Sequence, residues 1–210
     1  MATTDFLRRV RFAAWAAVAI TALAAGAALL GEAQRANILG SAGAPPATAR
    51  VGAPFELTGT DGKRFNSAAL AGKPFAIFFG FTHCPDICPT TLLEMTNHLK
   101  ALGERASQLN VLFVSIDPER DTADHLKLYL SAFDPRIIGL TGTKEEIASI
   151  AKSFRAVYER VPNKDGSDYT MNHTASVYLM DKAGRLVSTL SFEEPEETRQ
   201  RKIDNLLTRG

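Results

Sequence analysis

Five apolar residues in a row, Phe75-Ala76-Ile77-Phe78-Phe79, run directly into the stretch Gly80-Phe81-Thr82-His83-Cys84-Pro85-Asp86-Ile87-Cys88-Pro89, which holds both cysteines of the chain. The apolar run reads as a buried strand. Pro89 suits the first turn of a helix, and Leu92, Met95, Leu99 and Leu102 follow at helical spacing. The cysteines therefore stand where a strand hands over to a helix. Backbone N–H groups at a helix start favour negative charge, and thiolates gain from that. Two thiolates four residues apart can meet one soft metal ion or close a small disulfide loop. Their chemistry is a disulfide, a bound metal, or both. The plain alternative is a static disulfide or two inert thiols, but a loop this small would constrain the unfolded chain only modestly.

The pattern on either side extends that handover into a sheet. Phe55-Glu56-Leu57 and Arg64-Phe65 flank Asp61-Gly62, a hairpin signal. Val111–Ile116 predicts a second buried strand, followed by a helix capped by Asp121 or Thr122 and running to Phe133. Ile137–Leu140 is short and apolar, and Thr143-Lys144-Glu145-Glu146 is a capping box opening a helix through Phe154. Ala156–Val161 reads as a short strand, and the polar stretch Pro162–Asn172 as a mobile loop. Ser176–Met180 and Leu186–Leu190 form an antiparallel hairpin, and an amphipathic helix from Glu193 or Pro195 through Leu207 closes the chain. The expected fold class is α/β, a mixed sheet flanked by helices. A cysteine pair between the first core strand and its helix makes that order thioredoxin-like.

The N-terminus sets the compartment. Phe12–Gly31 is a run of twenty residues without charge, preceded by Arg8, Arg9 and Arg11 and followed by Glu32. Twenty helical residues span roughly 30 Å, the hydrocarbon thickness of a bilayer. The expected organisation is a cytoplasmic N-terminus (1–11), a transmembrane helix (12–31), a small-residue, proline-containing tether (32–50) and a folded domain (51–210). A cleaved signal peptide is the rival, but its apolar core is normally about 7–15 residues. Ala25-Gly26-Ala27, its nearest cleavage site, lies inside the run. Arg8-Arg9 resembles a twin-arginine signal in poor surroundings. Seven residues precede the first arginine, too few for an organelle transit peptide. The expected location is the bacterial inner membrane, single-pass, with the domain facing the periplasm, a compartment where cysteine pairs can be oxidised. A net charge of +1 with no basic run in the domain argues against a nucleic-acid partner.

Three motifs resemble one family. Phe79–Pro89, Asp117-Pro118-Glu119-Arg120-Asp121 and Ile138-Gly139-Leu140-Thr141-Gly142-Thr143 are similar to the signatures of the Sco/SenC copper-binding proteins, as is Asn172-His173-Thr174 ahead of the strand at Ser176. The resemblance covers about Val51–Leu190. It implies a membrane-tethered, thioredoxin-like copper chaperone that takes part in cytochrome c oxidase assembly. The cargo would be one copper ion per domain, Cu(I) or Cu(II), held by Cys84, Cys88 and His173. The implied partners are the copper-site subunit of a haem–copper oxidase and a periplasmic copper donor or thiol reductant. Catalytic turnover is not required, although Cys84 and Cys88 also form a candidate redox disulfide.

The residue types suit that chemistry. Thiolates are soft ligands that select Cu(I), and an imidazole suits Cu(II) as well. In thioredoxin-like folds the loop before the hairpin strand packs on the cysteine loop and usually carries a cis-proline; here that place holds His173-Thr174. His83 adjoins Cys84, but neighbouring side chains diverge. His98 and His125 read as exposed helical residues. Asp117 either tunes the site by hydrogen bonding or caps the Pro118–Thr122 turn; Asp86 either shapes the loop's charge or faces water. The competing function is a thiol–disulfide oxidoreductase that reduces oxidase cysteines. C-x-x-x-C is one residue longer than the usual C-x-x-C, which leans against general exchange. A thiol peroxidase would need Thr and Pro where Phe81 and Ile77 stand.

Overall fold

The computed structural model describes residues 50–209, so the expected N-terminal segment, membrane span and nearly all of the tether lie outside it. No helix among the described residues is long and apolar enough to cross a membrane. The described residues open with a hairpin of β1 (Glu56–Gly59) and β2 (Arg64–Asn66), whose turn needs Gly62 at a φ of 76°. Next come β3 (Phe75–Gly80), α1 (Ile87–Leu102), β4 (Asn110–Ser115), α2 (Ala123–Leu130), β5 (Ile137–Thr141) and α3 (Lys144–Phe154). The last third holds β6 (Tyr158–Pro162), β7 (Tyr169–His173), β8 (Val177–Met180), β9 (Leu186–Leu190) and α4 (Glu196–Arg209).

Among the described residues, seven strands form one sheet in the order β2-β1-β5-β4-β3-β8-β9, and β6 and β7 pair only with each other. β3, β4 and β5 are parallel, joined by helical crossovers, and the flanking strands are antiparallel. β3 is buried at every position, as its unbroken apolar sequence requires at the centre of a covered sheet. Alternation along it splits the core in two. Phe78 meets Phe113 (ring centroids 5.8 Å apart), and Phe113 meets Tyr129 of α2. Phe79 points the other way, onto Phe154 of α3 at 5.5 Å and Tyr178 at 6.0 Å. α4 lies against α1: Arg199 pairs with Glu94 at 2.9 Å and Gln200 with His98 at 2.7 Å.

Some boundaries match expectation and others shift. α1 begins at Ile87 and so includes Cys88 and Pro89 in its first turn. Thr122, not Asp121, caps α2, accepting the N–H of His125 at 3.2 Å, and the helix stops at Leu130. The capping box of Thr143 and Glu146 is formed. The largest correction concerns Pro162–Asn172, read as a loop. Its second half is β7, paired with β6 from Tyr158↔His173 to Pro162↔Tyr169. This ribbon stands off the main sheet and has no fully buried residue, so it lacks the apolar alternation that marks a strand with one face in the core.

A contrast between β4 and β9 checks this core assignment. Leu112 is wholly buried, so Leu112→Ala should cost about 2–5 kcal/mol. Leu186 is 37% exposed, and Leu186→Ala should cost less than about 1 kcal/mol. Urea unfolding midpoints of the two variants measure the difference; equal losses would contradict the assignment.

Candidate metal centre

Strand directions bring the distant residues together. β8 runs antiparallel to β3 with Val177 opposite Phe78, so the residues just before Val177 lie beside those just after Phe78. The cysteine loop leaves β3 there, and His173, the last residue of β7, arrives there. The Cys84 and Cys88 sulfurs and a ring nitrogen of His173 lie within 4.8 Å of one another. His173 Nε2 is 3.6 Å from Cys88 Sγ, and the Cys88 N–H points at Cys84 Sγ at 3.5 Å. Both thiols are free, Cys88 buried and Cys84 half-buried.

Several contacts hold the histidine in place. Its Nδ1–H donates to the Thr174 carbonyl at 3.1 Å, which turns Nε2 toward the sulfurs. Phe78 and Phe81 meet the ring edge-on at 6.0 and 5.8 Å. Thr174 is tied to Val157 by bonds of 2.9 Å from its amide and 3.0 Å to its hydroxyl. Gly80 leaves room for the buried thiol, since a Cβ there would stand 2.8 Å from Cys88 Sγ and 2.7 Å from the Phe113 ring.

The two thiols differ in their protons. A hydrogen bond from the Cys88 thiol, with further help from the His173 ring and then from backbone N–H groups of Asp86 and Cys88, outweighs the cost of burial and lowers Cys84 to about 3. Cys88 moves the opposite way, because it gives up that bond on ionising and is buried. The pair holds one proton, with Cys84 as thiolate and Cys88 as thiol.

Of the two carboxylates near the loop, Asp121 is the one bonded to it. It is fully buried and accepts bonds from the Thr82 amide (3.0 Å), the Thr82 hydroxyl (2.6 Å) and the Ser115 hydroxyl (2.6 Å). That ties the end of β4 to the start of the cysteine loop. Asp117 neither bonds to the cysteines nor caps the turn amides. Its carboxylate accepts from Tyr169 Oη at 2.7 Å and Arg120 Nε at 2.5 Å. Arg120 and Arg160 each stack 3.6 Å from the Tyr169 ring centre, so Asp117 fastens the β6–β7 ribbon that carries His173. Burial and the Asp117 carboxylate push the Tyr169 phenol up to about 12. The signal for Asp121 was its neighbour: once Thr122 caps α2, the preceding carboxylate is free to turn inward.

The remaining polar residues fall elsewhere. Asp86 is exposed. His83 turns toward Thr82, its Nδ1 lying 3.0 Å from the hydroxyl, and His125 is exposed on α2. His98 is buried, not exposed, because α4 covers that face of α1.

Alkylation rates test the thiolate. Because its pKa is lowered to about 3, Cys84 is ionised above that pH and loses charge only below it. Its reaction with iodoacetamide, followed by mass spectrometry, should therefore be flat between about pH 5 and 8, whereas an ordinary thiol gains nearly tenfold per unit there. Cys88→Ala, which removes the thiol donor, should restore part of that slope. A tenfold rise per unit in the unsubstituted chain would contradict the assignment.

A family model described as SCO1/SenC matches residues 43–208. A SCO2-like protein of Rickettsia prowazekii is 41% identical over 137 residues, which are 65% of this chain and 67% of that one. The chain spans about half the length of the yeast mitochondrial relatives it matches; the match covers 52% of yeast SCO2. Among solved structures, Bradyrhizobium japonicum ScoI with copper bound is similar with a TM-score of 0.69 and 47% identity, over 74% of this chain and 99% of that one. BsSco is similar with a TM-score of 0.61 and 26% identity, over 77% of this chain and 95% of that one. It is described as having a disulfide switch and as a member of the Sco family of cytochrome c oxidase assembly proteins. Since the family match contains the whole sheet, both cysteines and His173, this chain belongs to the SCO1/SenC family.

Proposed function

We propose that this chain is a copper metallochaperone that carries one ion at Cys84, Cys88 and His173 to the binuclear copper centre of a haem–copper cytochrome oxidase. The observation that carries this reading is the convergence of two free thiols and one oriented imidazole within 4.8 Å. Two sulfurs suit Cu(I), and the added nitrogen suits Cu(II), so one site serves both oxidation states of its cargo. Loading displaces the proton left on Cys88, and Cys84 gives the ion an exit at the half-buried side. Copper bound in the Bradyrhizobium relative and the oxidase-assembly role given for BsSco's family support the assignment. Residues 12–31 would anchor the chain in a bacterial inner membrane, with the domain in the periplasm. There it would meet the oxidase subunit and a copper donor or thiol reductant. No turnover is needed for delivery.

A second reading has its own support. A thiolate at Cys84 beside a protonated Cys88 is the arrangement of a dithiol reductant. Cys84 would attack a partner disulfide and Cys88 would resolve the mixed disulfide. Two electrons would pass to the partner, leaving Cys84–Cys88 oxidised. The disulfide switch of BsSco points the same way.

Metal content of the purified full chain separates the two. One Cu(I) per chain is expected, lost with Cys84→Ser. In His173→Ala the Cu(II) affinity, followed by thiolate-to-copper absorption, should fall on the order of 10–100-fold or more while Cu(I) is retained. Absence of stoichiometric copper, together with fast reduction of an oxidase-site disulfide, would overturn the carrier and establish the reductant.

A further inference from the structure

Beside the cysteine loop, three residues unused by copper binding at the thiols converge on one point. His83 comes from the loop, His125 from the first turn of α2, and Asp121 from the turn before it. A ring nitrogen of each histidine and a carboxylate oxygen of Asp121 lie within 4.8 Å of one another. The Thr82 hydroxyl sits among them, donating to Asp121 Oδ1 at 2.6 Å, with His83 Nδ1 at 3.0 Å and His125 Nε2 at 3.1 Å. The two rings stack with centroids 5.6 Å apart and planes inclined by 16°. Both histidines are exposed residues, whereas Asp121 is fully buried and pinned by Ser115 and Thr82.

Hydroxyl–imidazole bonds and ring stacking hold this cluster together without a metal. The donor set nevertheless has a definite chemistry. Two imidazoles and one carboxylate, with no sulfur, suit borderline divalent cations, and Cu(II) ranks above Zn(II) for such ligands. Cu(I), which prefers thiolate, has no such ligand here. The buried carboxylate is a fixed negative charge beside two rings that reorient by side-chain rotation alone, so little of the backbone has to move.

We propose that His83, Asp121 and His125 form a second metal site, separate from Cys84, Cys88 and His173, which takes a divalent imidazole-seeking cation, Cu(II) foremost. The site uses none of the carrier's ligands, so it stands whether or not the copper-carrier reading does. Because His83 adjoins Cys84, a divalent ion here is held one residue from the thiolate.

The test removes the first site. The full chain carrying Cys84→Ser, Cys88→Ser and His173→Ala is titrated with Cu(II) and followed by electron paramagnetic resonance. One Cu(II) per chain with hyperfine structure from two nitrogens is expected. Adding His125→Ala should weaken binding about tenfold or more and remove one nitrogen. An unchanged affinity and spectrum after His125→Ala would overturn the site, because the copper would then sit elsewhere. Should the triple variant fail to fold, the unsubstituted chain is titrated with Zn(II) while the ring nitrogens are observed by NMR. Joint perturbation of His83 and His125 by the second equivalent supports the site, and perturbation of His173 alone overturns it.

Discussion

The antiparallel pairing of β8 on β3, with Val177 opposite Phe78, is the constraint on which the metal centre depends. Strand residues advance by about 3.3 Å each, so a slip of two residues would carry His173 some 6–7 Å along β3 and break its 3.6 Å approach to Cys88. A slip of one would turn Val177 and Leu179 to the wrong face. The buried side chains of β8, each facing a filled core, make both slips costly. Packing far from the sulfurs thus sets their distance from the imidazole.

Two carboxylates then fix the loops. Asp121 joins the end of β4 to the cysteine loop through three bonds, and a buried carboxylate is tolerable only when so satisfied. Asp117, four residues earlier, holds Tyr169 and Arg120 at the far end of the ribbon whose last residue is His173. One side of the site is therefore anchored through Ser115 and the other through a tyrosine sandwiched between two arginines. With the surroundings held in place, the sulfur pair is free to divide one proton unequally, and the more exposed Cys84 carries the charge.

Much of this was legible from the residues. Phe75–Phe79 and Val111–Ser115 announce buried strands because nothing polar interrupts them. Thr143 and Glu146 announce a helix start because the two side chains satisfy each other's backbone groups. Elements whose evidence lies in a partner were not legible. The β6–β7 ribbon has polar residues on both faces, so its pairing leaves no trace in periodicity. His98 reads as exposed until α4 is laid over it. Asp117 and Asp121 end the same motif, and only the direction of each side chain shows which one reaches the cysteine loop. The resemblance to the Sco/SenC proteins supplied His173, since a histidine 85 residues from Cys88 has no local signature.

X-ray absorption at the copper edge of the full chain loaded with one equivalent of Cu(I) tests the central claim most directly. The account predicts copper coordinated by two sulfurs and one imidazole nitrogen, with that nitrogen lost on His173→Ala. A copper shell without sulfur, or one unchanged by His173→Ala, would contradict it.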